Sequence, residues 1–360
     1  MARKAFKYRI YPTKEQEQKL FWTLSRCRER YKAALAERRE AYRMCGKSIK
    51  YYEQKRDLPD IKEFRLEYKD IHSQVLQDVL LRLEGAYKAF FRRLKNGEKP
   101  GHPRFQGRNR YDSFPYPQGG YTLAVKRVTL SKIGTITCCV HRPLEGTPRT
   151  CTIKYESGQW YVVFSCECAD PEPLPVSYED VGIDLGVTHF AALSDGTFIE
   201  QPRHYRLAEK KLARLQQVLA RKKRGSHRRK KAVNQLSKAH HKVRNQRKDF
   251  LHKQSCSLVN KYQVIVFEDL PTANITRAPK PKQDEATGEY LPNGKAAKAG
   301  LNKSILDVGW GIFTDMVRVK AAWAGRITVF VNPKYTSQVC SGCGAIRKKE
   351  LSERWHTCEC

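Results

Sequence analysis

The sequence predicts a multidomain chain of α+β and α/β parts: a small β-barrel interrupted by helices, then an α/β unit that ends in a cysteine module. Three observations lead there. A first strand pattern at residues 4–11 is separated by two helical patterns from a dense run of strand patterns at about 121–168. A proline-rich stretch, PEPLPVSYED (171–180), divides this part from the next. Beyond it, short apolar strands alternate with long helical patterns, the order of an α/β unit. A length of 360 residues accommodates two or three such domains.

KAFKYRIY (4–11) alternates apolar and polar side chains, as a half-buried strand does. Thr13 then offers an N-cap, with Gln16 three residues on, and Leu20, Phe21, Leu24, Cys27 and Tyr31 recur at helical spacing. SQVLQDVLLRLEGAYKAFFRRL is a second helix, with Leu76, Val79, Leu80, Leu83, Tyr87 and Phe90 or Phe91 on one side. Gly and Pro punctuate 95–120. RVTL, GTITCCV, TCTIKY and WYVVFSCEC follow as strands, the last after a turn at Glu156-Ser157-Gly158.

VGIDLGVTHFAALSDGTFIE holds three short strands, with a hairpin turn at Ser194-Asp195-Gly196. Two long basic helices are expected at 203–224 and 227–260, broken at Gly225. Leu207, Leu212, Leu215, Val218 and Leu219 form a buried stripe on the first; Val233, Leu236, Ala239, Val243, Phe250 and Leu251 do so less regularly on the second. YQVIVFEDL (262–270) is a buried strand ending in acids. Residues 277–303 are expected to be a flexible loop. LDVGWGIFTDMVRVKAAWAGR is expected to be one helix with Ile312, Phe313, Met316, Val319 and Trp323 inward, and ITVFVNP a further strand.

Lys and Arg number 69 against 37 Asp and Glu, a formal charge of +32. Such an excess repels itself unless a polyanion relieves it, and nucleic acid is the natural partner. A membrane surface is the rival polyanion. No apolar run approaches ~18 residues and MARKAFKYRIYP is no signal peptide, so no membrane partner and a cytoplasmic location are expected. Arg221, Lys222, Lys223, Arg224, Arg228 and Arg229, where the two basic helices meet, are candidate contacts to a nucleic-acid backbone. Such runs are also what an ordinary solvated helix face looks like. Eight scattered cysteines, from Cys27 to Cys256, suit a reducing compartment rather than a disulfide framework.

Two patterns point to chemistry. Asp184 in V-G-I-D-L-G and Glu268 in V-I-V-F-E each stand near the end of an apolar strand. Two carboxylates at strand ends of an α/β sheet can converge on Mg²⁺ or Mn²⁺, as in two-metal nucleases; the plainer alternative is two acids that cap loops. Cys340-x-x-Cys343-Gly344, with Cys358 and Cys360, has the spacing of a Cys₄ zinc site. A redox C-x-x-C would need a thioredoxin-like strand–helix context, which is absent.

The chain resembles the transposon-encoded TnpB (OrfB) family, related to type V CRISPR effectors, over nearly its whole length. RIYPTKEQ, SQVLQDVLLRLEGAYKAFFRR, Pro103–Phe105 with YDSF after it, VGIDLGV, RKDFLHKQS, VFEDL, GWGIF and YTSQVCSGCG carry the resemblance. It implies a monomeric, RNA-guided, Mg-dependent DNA endonuclease of the bacterial or archaeal cytoplasm, with a guide RNA from the transposon end and double-stranded target DNA as partners. It implies a wedge-like β-barrel at 1–12 and 96–172 and a helical recognition insert at 13–95. An RNase H-like (RuvC) domain at 173–332 and a zinc ribbon at 333–360 follow. Asp184 and Glu268 match the first two RuvC acids. Gln74 and Gln77 match positions that contact the target-adjacent DNA motif, and Phe114, Tyr116 and Gln118 are further candidates. A protein of this kind needs only a basic channel and a few base-edge contacts, because RNA pairing supplies sequence choice. One departure stands out. In the family a third acid lies on a helix beyond the last zinc ligand, whereas this chain ends at Cys360. The expectation from sequence is a chain cut short within its ribbon, which binds DNA but cuts it little, leaving a nuclease-inactive DNA-binding protein as the alternative.

Overall fold

A computed structural model describes residues 2–107, 110–336, 338–340, 342–347, 357–358 and 360. Two compact units divide at Asp170/Pro171. The fold is mixed, with two large sheets and long helices. No described helix is long and apolar enough to cross a membrane.

In the first unit, β1 (Ala2–Tyr11) turns Phe6, Tyr8 and Ile10 into the core and its basic residues outward. The strands that follow the helices are β2 (Ser113–Tyr116), β3 (Tyr121–Ala124), β4 (Arg127–Leu130), β5 (Gly134–Cys139), β6 (Thr147–Glu156) and β7 (Gln159–Cys168). They form one seven-stranded sheet in the order β2-β6-β7-β1-β5-β4-β3. The N-terminal strand thus sits between the late strands, opposing Phe6 to Phe164, Tyr8 to Val162 and Ile10 to Trp160. The sheet curls: Tyr121 at one edge donates to the Pro148 carbonyl of β6 at 3.3 Å, and its ring lies 5.9 Å from Phe164.

The helices between β1 and β2 are α1 (Lys14–Cys45), α2 (Tyr51–Arg56), α3 (Leu58–Phe64) and α4 (Ser73–Lys95). Thr13 and Gln16 close the expected capping box on α1. Val75, Leu76, Val79, Leu80 and Leu83 bury the core face of α4. Arg82 anchors α4 to β2, donating to the Ser113 carbonyl at 2.9 Å. The segment 51–64, which the sequence left unassigned, supplies two short helices because Leu58 and Gln54 are buried against α1 and α4.

The second unit is built on β8 (Asp180–Leu185), β9 (His189–Leu193), β10 (Phe198–Glu200), β11 (Val264–Glu268) and, after β12 (Lys282–Gln283) and β13 (Tyr290–Leu291), β14 (Ile327–Val331). The five-stranded order is β10-β9-β8-β11-β14. The first three strands are antiparallel and the last two run parallel to β8. Val181, Ile183, Leu185, Ile265 and Phe267 face a core shared with Leu251, Leu258, Phe313 and Val317 from the helices. These helices are α5 (His204–Ala220), α6 (His227–Lys261), α7 (Thr272–Ile275), α8 (Lys295–Val308) and α9 (Trp310–Ala324).

Several expectations about the elements need correction. Residues 277–303 hold a small hairpin and the start of α8, not an uninterrupted loop; the Ala- and Lys-rich run 295–303 has high helix propensity. The expected single helix at 306–326 is two, because Gly309 takes the left-handed conformation at φ 76° between α8 and α9. The core face of α9 is Phe313, Val317, Ala321 and Ala324, while Ile312 and Val319 are about half exposed; small residues let the helix settle against α6. The stripe on α5 is likewise mostly open. Leu212 alone is buried there and Leu207 is 81% exposed, because α5 pairs with α6 rather than lying on a sheet.

Phe313 is fully buried, with its ring 4.8 Å from Phe190 of β9 and 6.0 Å from Phe267 of β11. Phe313→Ala is expected to destabilise the second unit by about 3–5 kcal/mol. Urea unfolding followed by a probe in that unit checks this; a loss under about 1 kcal/mol would mean the site collapses around the gap.

Candidate functional site

The pairing of β8 with β11 brings Asp184 and Glu268 together. The parallel register runs from Asp180–Val264 to Ile183–Phe267, so its next step sets Asp184 beside Glu268. Neighbouring strands lie about 4.8 Å apart, and side chains alternate with a period of two. Since Ile183 and Phe267 point into the core, both acids point to the opposite face. There they share a shallow basin of 390 Å³ with Gly182, Ala192, Ser194 and Val266. The sequence set both acids among apolar neighbours, where burial would be costly. Asp184 is exposed and Glu268 half-buried, so neither side chain is cut off from water. Thr336 donates its hydroxyl to Glu268 Oε1 at 2.6 Å. The sequence singled out the stretch containing Thr336 but not this residue, whose contact spans the chain from β11 to the segment after β14.

The four cysteines also converge. Their sulfurs lie within 4.8 Å of one another, with Cys340–Cys360 at 3.6 Å and Cys343–Cys358 at 3.4 Å. A tetrahedron with zinc–sulfur bonds of ~2.3 Å has edges of about 3.8 Å, so the cluster is of the right size for one ion. Among the described residues this is the one group of three or more Cys, His, Asp or Glu ligands so placed. Gly344, at φ 73°, lets the chain fold back so that its N–H reaches the Cys340 carbonyl at 2.9 Å. Hydrogen bonds from the Cys343 and Gly342 backbone push the Cys340 thiol down to about 6, the side of the scale that favours a ligand thiolate.

At the junction of α5 and α6, Arg221, Lys223, Arg224 and Arg228 are exposed and Lys222 is half-buried. Arg229 differs. Its guanidinium donates to the Leu219 and Lys222 carbonyls at 2.9 Å each, so it caps the end of α5 and holds the hairpin closed. Ser226 caps α6 by accepting from the Arg229 N–H at 3.1 Å.

The five candidate DNA contacts separate. Gln74 and Gln118 meet at the surface, with Gln74 Nε2 3.5 Å from Gln118 Oε1. Gln77 lines a neighbouring groove of 540 Å³ with Tyr52, Lys55, Arg56 and Lys62, residues the sequence reading passed over because α2 and α3 were not recognised. Phe114 and Tyr116 are corrected. They are 0% and 1% exposed, on the inward face of β2, so their side chains build the core and offer DNA no surface.

Residues 163–278 match the OrfB_IS605 family, described as "Probable transposase"; residues 310–360 match "Cas12f1-like, TNB domain". Residues 1–47 match a "Helix-turn-helix domain" of the same name series, although here they fold as β1 and the single long helix α1. Among solved structures, a Cas12f1–sgRNA–target DNA complex aligns over 96% of this chain and 89% of that one, at 17% identity and a TM-score of 0.32. A protein of Streptomyces pristinaespiralis named "Putative RNA-guided DNA endonuclease" is 33% identical, covering 99% of this chain and 85% of its own. "Putative RNA-guided DNA endonuclease InsQ" of Escherichia coli (strain K12) is 34% identical over 361 residues, 99% of this chain and 87% of its own. With that identity sustained from end to end, and with the OrfB match spanning both β8 and β11, the chain belongs to the OrfB (TnpB) family.

Proposed function

We propose that the chain is an RNA-guided DNA endonuclease whose second unit is an RNase H-like (RuvC) nuclease domain. The pairing of Asp184 with Glu268 on adjoining parallel strands, at an open face of the sheet, carries this reading. The order β10-β9-β8-β11-β14, three antiparallel strands followed by parallel ones, supports it. So do the names of relatives that match nearly the whole chain. Guide RNA and double-stranded DNA are the partners. The curled sheet (1–12 and 96–172) and the helices at 13–95 hold the guide and read a short target-adjacent motif. Gln74, Gln77 and Gln118 contact it, while Arg221, Lys223, Arg224 and Arg228 grip phosphates.

Two carboxylates and no soft donor form a hard oxygen set, which fits Mg²⁺ or Mn²⁺. Bound there, such an ion supplies Lewis-acid stabilisation of the phosphoryl oxygens and a more acidic water. Asp184 and Glu268 would hold it. The shallow basin leaves room for a strand of nucleic acid, and Thr336 fixes the Glu268 carboxylate toward that space. The cysteine cluster would hold one Zn²⁺ as a structural ion, since four thiolates leave no open position.

Purified from its host, the chain should carry one enriched structured RNA, with affinity falling steeply as salt rises. Sequencing of the bound RNA checks this, and a random mixture of cellular transcripts counts against guide binding.

With guide loaded and Mg²⁺ present, Asp184→Ala or Glu268→Gln should lower cutting of matched DNA on the order of a thousandfold, from the loss of several kcal/mol of charge stabilisation. DNA binding should persist, because phosphate contacts and base pairing do not depend on these acids. Undiminished cutting by either variant would refute the site. Binding of matched DNA without any cutting by the wild-type chain would favour a DNA-binding protein instead.

Elemental analysis should find about one zinc per chain, removed by chelator or by Cys343→Ser. Loss of metal should loosen the C-terminal segment and leave both sheets intact. Iron in place of zinc, or no metal after growth with added zinc, would overturn the assignment.

A further inference from the structure

In the first unit, α1, α4 and the segment 96–107 line a cleft of 970 Å³, to whose residues nothing above gives a role. Its wall is aromatic. Tyr87 and Phe91 are stacked with centroids 6.3 Å apart, and Phe90 lies 4.9 Å from His102. Tyr42 is 69% exposed, Phe91 58% and Phe105 46%. So much contiguous open aromatic surface marks a binding face rather than an unfinished core.

The rim is basic. Arg39, Arg43 and Lys88 line it, and none of them forms an ion pair among the described residues. The Arg39 guanidinium lies over the Phe105 ring at 5.5 Å. Arg38 is different: it is buried, paired to Glu84 at 2.8 Å, and helps to build the wall. Glu40 is the one acid of the lining besides Glu84.

Aromatic faces with unneutralised cations beside them are what an unpaired nucleotide requires, the base stacking on a ring and the phosphate meeting a guanidinium or ammonium. A duplex would hide its base faces and leave the aromatics uncovered. An apolar small molecule would leave the cations unanswered. The volume is at the upper end of the ~300–1,000 Å³ range for ligand clefts, enough for more than one base. Recognition of RNA works mainly through splayed bases on aromatic or Arg planes. A partner that stays bound also keeps this apolar surface out of water.

We propose that this cleft binds unpaired nucleotides of a single-stranded RNA segment, with bases on Phe91 and Phe105 and phosphates on Arg39, Arg43 and Lys88. The proposal rests on the RNA-binding part of the function above for the presence of such an RNA.

Fluorescence anisotropy with a labelled short oligouridine and the full-length chain tests it. Phe91→Ala and Phe105→Ala should each weaken binding by about 5- to 100-fold, the usual loss of one stacked base. Phe91→Trp and Phe105→Trp should keep the wild-type affinity, and binding of duplex DNA should be unchanged in all four. Unchanged oligouridine affinity in alanine variants that unfold at the wild-type urea concentration would overturn the proposal. So would a loss of self-association without loss of RNA affinity, which would make the cleft a contact between copies. If the alanine variants fail to fold, the surface pair Arg39→Glu with Arg43→Glu replaces them; it should weaken oligouridine binding and flatten its salt dependence, and an unchanged affinity would count against the cleft. Guide RNA that still co-purifies while oligouridine affinity is unaffected refutes the cleft alone. Absence of RNA from the wild-type chain refutes the broader function.

Discussion

Parallel pairing of β8 with β11, in the register that sets Ile183 against Phe267, is the constraint from which the candidate nuclease site follows. Side chains on a strand alternate faces, so a slip of β8 by one residue would turn Asp184 into the core and expose Val181 and Ile183, and a slip of β11 would do the same to Glu268 and expose Ile265 and Phe267. The hydrophobic effect resists that slip at roughly 1.5–3 kcal/mol for each large side chain. The packing of Phe313 against Phe190 and Phe267 holds the same register from beneath. Proximity of the two acids is therefore enforced by burial on the other face, not by any attraction between them. Like charges so close repel, and the exposed basin lets water screen them until a cation does so.

The same separation of duties recurs elsewhere. At the α5–α6 junction most of the cations are open to solvent, but Arg229 turns back onto the Leu219 and Lys222 carbonyls where α5 ends. One arginine fixes the shape that presents the others. In the first unit Arg38 and Arg82 bind protein groups and set the positions of helices, while Arg39 and Arg43 stand at an open aromatic surface. A net charge of +32 says that a polyanion is the partner; only contacts tell which cations meet it.

The cysteine cluster shows how far backbone geometry can prepare a metal site. The left-handed turn at Gly344 and the returning N–H bonds aim two sulfurs inward, and they bring down the affinity of Cys340 for its proton. Cys358 and Cys360 reach the cluster from a different part of the chain. A bound ion would then tie the two segments together, which is why metal and local folding are coupled in such modules.

Much of this was legible in the sequence. Local rules with a fixed period or spacing were enough for the Thr13 cap, the core faces of β1 and α4, the hairpin at Ser194-Asp195-Gly196 and the cysteine spacing, because each depends on residues close in the chain. The two acids could be named from their apolar strands, and the family from motifs along the whole length. What the sequence could not decide depended on neighbours distant in the chain. Phe114 and Tyr116 looked available until β2 buried them; Leu207 looked buried until α5 was laid along α6, and against α8 through Arg206 and Glu209, with no sheet beneath it. The inward face of α9 was set by how closely Ala321 and Ala324 let it approach, which periodicity alone cannot register. Thr336 at Glu268, Arg229 at the end of α5 and the aromatic cleft beside Arg39 all arise where separate elements meet. Sequence determined which residues could bear charge, metal or a buried face; tertiary packing decided which of them share a surface, because contact across the chain follows from burial and register rather than from spacing.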